Sequence, residues 1–152
     1  MRSWISFLFI FILSITSLFS VPASADKEKV CVVPVEDTVE KGLFSFLKRA
    51  INTAEEEGAS TVIFRIDTLG GRVDAAADIA DLFLKTKLKT VAWVDDEAIS
   101  AGAFIALNTD EIYMSPNSKM GSAAVIDGEG NAADKKTQSY WNTAMRNAAE
   151  QN

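Results

Sequence analysis

Histidine is absent from the 152 residues, and cysteine occurs once, at Cys31. The first absence removes the usual imidazole base, so any serine nucleophile in this chain has to be activated by a lysine. The second rules out an internal disulfide, and the setting Val30-Cys31-Val32-Val33 reads as a buried strand carrying a small core thiol. Positive charge is also in deficit: 15 Lys and Arg stand against 21 Asp and Glu, for a formal charge of -6. The lysines are scattered, so the chain lacks the basic footprint of a phosphate binder and nucleic acid is not an expected partner. No internal repeat or low-complexity linker interrupts the sequence, and its length suits one globular domain.

What is present begins with an apolar run from Trp4 to Val21, preceded by Arg2 and followed by Val21-Pro22-Ala23-Ser24-Ala25. This is the pattern of a secretory signal peptide over residues 1–25, with cleavage expected after Ala25. The competing assignment is a retained membrane anchor, since the run reaches the ~18 residues at which a spanning helix becomes possible. Either way the chain is expected to be exported, and to act outside the cytoplasm as a membrane-associated or secreted protein.

Residues 26–152 alternate strand and helix patterns. Val30 to Val35 is a β-branched run, and Leu43, Phe44, Leu47, Ala50, Ile51 and Ala54 recur at helical spacing until Gly58 stops them. Thr61-Val62-Ile63-Phe64-Arg65-Ile66-Asp67 is a second strand, which Gly70-Gly71 is expected to break. Val73, Ala76, Ala77, Ala80, Leu82, Phe83 and Leu84 form an apolar stripe on the next helix. Thr90-Val91-Ala92-Trp93-Val94 is a third strand, Ser100 to Leu107 a helix, and Glu111-Ile112-Tyr113-Met114 a fourth strand. Strands separated by helices imply parallel pairing with right-handed crossovers, hence an α/β layered domain. Trp93, Phe104 and Tyr113 are expected in its core. Gly121 to Ile126 is a candidate short strand, Asp127 to Asn131 a turn-rich loop, and Asp134 to Asn152 a helix with Tyr140, Trp141, Ala144, Met145 and Ala148 on one face.

The chemistry-bearing segments are Asp67-Thr68-Leu69-Gly70-Gly71 and, about thirty residues later, Ile99-Ser100-Ala101-Gly102. Taken alone, a serine before Ala-Gly is an ordinary helix cap and Gly-Gly after a strand an ordinary turn. Together they offer a hydroxyl at a helix start and backbone N–H groups that a developing oxyanion could use.

These two segments, with Ile112-Tyr113-Met114-Ser115-Pro116 and Met120-Gly121-Ser122-Ala123, resemble the membrane-bound serine protease domain of the NfeD (nodulation efficiency) family. The likeness covers nearly all of residues 26–152 in four ordered blocks. It implies a distant relative of ClpP with the ClpP/crotonase-like spiral of ββα units, here incomplete at the C-terminus and thus truncated. It also implies a Ser-Lys dyad: Ser100 as nucleophile and Lys136 as base, with Lys135 the adjacent alternative. The oxyanion would be held by the backbone of Gly71 and Gly70 and by the N–H of Ala101. A lysine is a base only when neutral, so its pKa must fall from ~10.4 toward 7 or 8 at about 1.4 kcal/mol per unit, and the carboxylate of Asp134 is an awkward neighbour for it. The resemblance further implies endopeptidase action on apolar segments of stomatin-like (prohibitin-homology) membrane proteins, a homodimer as working unit, and no metal or cofactor. The alternative expectation is a non-catalytic, truncated interaction module of the same family. A weaker one is an acyl-CoA enzyme of the wider crotonase superfamily, whose required acid residues are missing.

Overall fold

The computed structural model describes residues 28–126 and 129–151, so the expected signal peptide lies outside the described residues. The elements run β1 (Val30–Val39), α1 (Lys41–Glu56), β2 (Thr61–Gly71), α2 (Val73–Lys85), β3 (Lys89–Ile99), α3 (Ala101–Leu107), β4 (Glu111–Met114), β5 (Lys119–Gly121) and α4 (Lys135–Ala149). Strands pair in the order β1-β2-β3-β4, all parallel, while β5 joins the far half of β3 through Glu97↔Lys119, Ala98↔Met120 and Ile99↔Gly121. The expected α/β class with parallel pairing is therefore present.

Each step across the sheet goes the same way, and right-handed crossovers then place α1, α2 and α3 on one face. That face holds the core. Val33, Val35, Val62, Phe64, Ile66, Ala92 and Val94 alternate along three strands and are closed off by Leu47 and Ile51 of α1 and by Ile79 and Phe83 of α2. Phe64 stacks on Phe83 with ring centroids 3.9 Å apart and an interplanar angle of 10°. Burying a side chain of this size contributes about 1.5–3 kcal/mol.

The same winding overturns part of the sequence expectation, because the opposite face receives no helix from these crossovers. Trp93 is 38% and Tyr113 59% exposed, so of the three aromatics expected in the core only Phe104 is there. Val30 and Val32 are likewise exposed, which makes β1 a half-open edge strand and leaves Cys31 only partly buried. Pro34 sits within this edge strand, with its nitrogen turned to the open side, as a continuous β1–β2 ladder requires.

Two further boundaries differ. β2 does not break ahead of Gly70-Gly71 but runs through them to its end: both glycines stay in the ladder, opposite Thr38 and Val39, after a register shift at Glu36–Thr38. The strand expected over Gly121–Ile126 lies earlier, at Lys119–Gly121, and Ile126 makes only an isolated antiparallel bridge to Ala132. The last helix starts where expected, on an Asp134 cap. Trp141 of that helix is 2% exposed, packs on Phe104 with ring centroids 4.8 Å apart and donates its indole N–H to the Ala123 carbonyl at 2.7 Å. Tyr140 beside it remains exposed. Among the described residues no helix is long and apolar enough to cross a membrane.

Candidate active site

Ser100 is the single residue between β3 and α3, and its backbone is twisted to φ 55 and ψ -116. An L-residue held in a sparsely populated region costs about 1–3 kcal/mol and persists only where its surroundings impose it. Here they do: the Ser100 N–H donates to the Gly121 carbonyl of β5 at 2.8 Å, and its carbonyl accepts the Phe104 N–H at 3.3 Å. The side chain caps no N–H of α3, so the ordinary role of a serine before Ala-Gly is not the one it plays. A strained strand-to-helix turn of this kind projects a hydroxyl out of the sheet instead.

The carboxyl end of β2 lies alongside. A Cβ placed on Gly70 would fall 2.8 Å from the Ser100 Cβ, 2.8 Å from the Ile99 carbonyl oxygen and 3.0 Å from the Ala101 nitrogen, so only glycine permits this approach. Its φ of +100 is equally a glycine conformation. The Gly70 N–H is already given to the Thr68 hydroxyl at 3.1 Å. Gly71 is exposed, and the following N–H, that of Arg72, goes to the Val39 carbonyl at 2.8 Å. Ala101, 1% exposed, opens α3, where backbone N–H groups lack intrahelical partners. The structure thus assembles Ser100, Gly70, Gly71 and Ala101 at the carboxyl ends of two parallel strands.

Lys135 and Lys136 are not part of that assembly. Both are exposed in the first turn of α4, and among the described residues neither ammonium hydrogen-bonds to Ser100. Asp134, the expected awkward neighbour, spends its carboxylate elsewhere: it accepts the backbone N–H groups of Lys136 and Thr137 at 2.9 and 3.1 Å and the Thr137 hydroxyl at 2.5 Å. Those bonds, led by the Thr137 hydroxyl, hold its pKa below the ordinary aspartate value.

An open cleft of about 730 Å³ is lined by Gly71, by the start of α2, by Ile126 ahead of α4 and by Tyr140 within α4. Its apolar lining is Val73, Ala77, Ile126 and Tyr140. Arg72 and Asp74 also line it and pair at 2.8 Å, which lowers the Asp74 pKa through the hydrogen bond from the guanidinium. The sequence pattern gave no role to Thr68, to the Gly121 carbonyl or to Gly102. Thr68 could have been found as the one polar residue on the core-facing phase Val62, Phe64, Ile66, Thr68.

A family model described as the N-terminal domain of NfeD1b matches residues 29–152. Membrane protein NfeD1b of Bacillus subtilis is 48% identical over 143 residues, which cover 94% of this chain and 32% of that protein. The membrane-bound protease PH1510 of Pyrococcus horikoshii is 30% identical over 105 residues, covering 67% of this chain and 24% of the relative. Among solved structures, a lysine-to-alanine variant of the 1510-N membrane-bound stomatin-specific protease, in complex with a substrate peptide, is similar with a TM-score of 0.77 at 26% identity. That likeness covers 82% of this chain and 61% of the other. A serine-to-alanine variant of the same protease is similar with a TM-score of 0.75, also at 26% identity, over 82% of this chain and 64% of the other. The chain spans about a third of NfeD1b and about a quarter of PH1510. These likenesses bear out the expected ClpP-like α/β fold.

Proposed function

We propose that this chain, which belongs to the NfeD1b family by its N-terminal domain, is the catalytic domain of a serine endopeptidase that cuts apolar segments of stomatin-like membrane proteins. One observation carries the proposal: Ser100 is held in a strained turn, free of any capping duty, against a glycine that leaves no room for a side chain. A merely structural serine would have no need of that conformation.

In the proposed reaction the Ser100 Oγ attacks a peptide carbonyl while its proton passes to the Lys136 Nζ, with Lys135 as the alternative base. The tetrahedral oxygen is received by the N–H groups of Gly71 and Ala101, while Gly70 shapes the turn. Collapse expels the amine, which takes the proton from Lys136, and water then hydrolyses the acyl-serine by the same route. For Lys136 to accept a proton it must be neutral, so bound peptide or a second copy of the chain has to cover the first turn of α4 and strip the ammonium of water. The engagement of Asp134 with the helix start favours this, since it keeps the carboxylate off the ammonium. The cleft that Gly71 lines, with Ile126 and Tyr140 on its walls, suits an extended apolar segment. Homodimeric assembly and export, with or without cleavage after Ala25, belong to the same proposal. The protein named PH1510 is membrane-bound, and the solved 1510-N structures are those of a stomatin-specific protease.

The exposed lysines favour a second reading, a non-catalytic interaction module that keeps the serine without its base. A fluorophosphonate probe separates the two. Covalent labelling of the wild type that disappears in Ser100→Ala, with the circular dichroism spectrum unchanged, is the expected result. Absence of labelling in folded wild-type protein would leave only the module.

A further inference from the structure

We propose that Thr68 is a positioning residue, whose hydroxyl sets the turn at Gly70 and thereby aims the Gly71 N–H at the oxygen created when Ser100 attacks. The proposal rests on the serine chemistry given above and adds a residue to it.

The β1–β2 ladder breaks register between Glu36 and Thr38, where Asp37 adopts φ 61. A bulge of this kind leaves main-chain groups without ladder partners, and buried groups of that kind must find others. Two of them meet at Thr68. Its Oγ1 accepts the Gly70 N–H at 3.1 Å and donates to the Asp37 carbonyl. At 3% exposure the threonine leaves little access for water to take the place of its hydroxyl.

The other branch of the side chain, Cγ2, stands 2.6 Å from where a Cβ on Gly102 would be, against the first turn of the helix that follows Ser100. Thr68 thus touches the edge strand, the glycine beside the nucleophile and the nucleophile's own helix. Beyond it the ladder resumes with Thr38 opposite Gly70 and Val39 opposite Gly71, and the Arg72 N–H donates to the Val39 carbonyl at 2.8 Å. In a parallel ladder a residue that bonds across does so to the two neighbours of its partner, so the N–H of Gly71 itself turns away from β1. That is the side on which β3 and Ser100 lie, as the Thr68↔Ala98 pairing and the approach of Gly70 to Ser100 require. The Gly70 N–H lies in the Leu69–Gly70 peptide plane; were it released, that plane could turn, and through the φ and ψ of Gly70 the Gly71 N–H in the next plane would lose its aim.

Two variants split the hydroxyl from the methyl. Thr68→Val keeps the shape and loses the hydroxyl; Thr68→Ser keeps the hydroxyl and loses the methyl against Gly102. The full chain is assayed for cleavage of an apolar peptide and, separately, for hydrogen exchange of the Gly70 amide by NMR. In Thr68→Val, kcat is expected to fall about tenfold to a hundredfold with KM unchanged, and Gly70 exchange to accelerate at least about tenfold. Thr68→Ser should keep both within about twofold of wild type while melting at lower temperature. Wild-type kcat in Thr68→Val, or a loss confined to Thr68→Ser, would overturn the proposal, since packing alone would then explain the residue. Should Thr68→Val fail to fold, Thr68→Ser decides by the same kcat criterion. Should the wild type show no Ser100-dependent turnover, the protease proposal fails, and the Gly70 exchange comparison still decides whether Thr68 holds the turn.

Discussion

Replacing Gly70 by alanine tests the site at its tightest point. The added methyl would sit 2.8 Å from the Ile99 carbonyl oxygen, 2.8 Å from the Ser100 Cβ and 3.0 Å from the Ala101 nitrogen. Carbon atoms rest about 3.5–4.0 Å apart, so Ser100 or Gly70 must retreat by about 0.7 Å or more. None of the three atoms belongs to the far end of a flexible side chain, so the strain is relieved only by moving the β3–α3 turn. Overpacking of this kind costs about 1–3 kcal/mol, and an L-residue forced to positive φ about 1–2 kcal/mol more. A domain with about 5–15 kcal/mol of stability survives that loss folded. The chemistry suffers more, because a displacement near 1 Å can cost about a hundredfold in rate. Fluorophosphonate labelling rate and thermal melting, measured on the same preparation, read the two effects separately. Gly58→Ala is the control: it shares a positive φ, +73, but its Cβ would meet nothing within 4 Å. It should lower the melting temperature without slowing labelling. Equal labelling rates in Gly70→Ala and wild type would refute the placement of Ser100 against β2.

Ser100→Gly should abolish labelling and raise the melting temperature, because glycine relieves a backbone conformation that costs a serine about 1–3 kcal/mol; a lower melting temperature would show that the turn is not strained. Phe64→Ala, which removes one ring of the stacked Phe64–Phe83 pair at the centre of the sheet, should cost about 3–5 kcal/mol in chemical denaturation, whereas Tyr113→Ala on the open face should cost far less. Asp134 has a folded-state pKa below its unfolded value, so its cap stabilises α4 above the unfolded pKa and the contribution is lost as pH falls through the folded one. Tryptophan fluorescence on acidification should therefore report loosening of α4 near Trp141 only once the pH falls below the ordinary aspartate range, and Asp134→Ala should remove that pH dependence.

Local pattern was enough for much of this fold. The buried alternation Val62, Phe64, Ile66 and the helical spacing of Leu47, Ile51 and Ala54 are short-range facts, and β4 lies where its four residues indicated. Ser100 and the glycine pair read alone as a cap and a turn, and only the four ordered blocks of the family resemblance singled them out; the approach of Gly70 to Ser100 is a tertiary fact that neither segment contains. The open face was not, since Trp93 and Tyr113 have the same strand preference whether or not a helix covers them; only the common direction of the crossovers decides it. β5 is set by the far half of β3 rather than by its own three residues. Thr68 depends on a register shift in a strand some thirty positions earlier, and no window along β2 contains that information. The lysines show the reverse: the family resemblance implied a base there, and both side chains stand in solvent.

Pro34 has a consequence for how copies of this domain can meet. An outer strand ordinarily offers a stranger's backbone a row of donors and acceptors, the starting template of runaway sheet growth. Here that row is interrupted near its middle by a nitrogen without hydrogen, and three residues later the chain is bent by Asp37 at φ 61. The interruption and the bend both work against edge-to-edge pairing with a twin, so crowding need not turn neighbouring molecules into a shared, aggregating sheet.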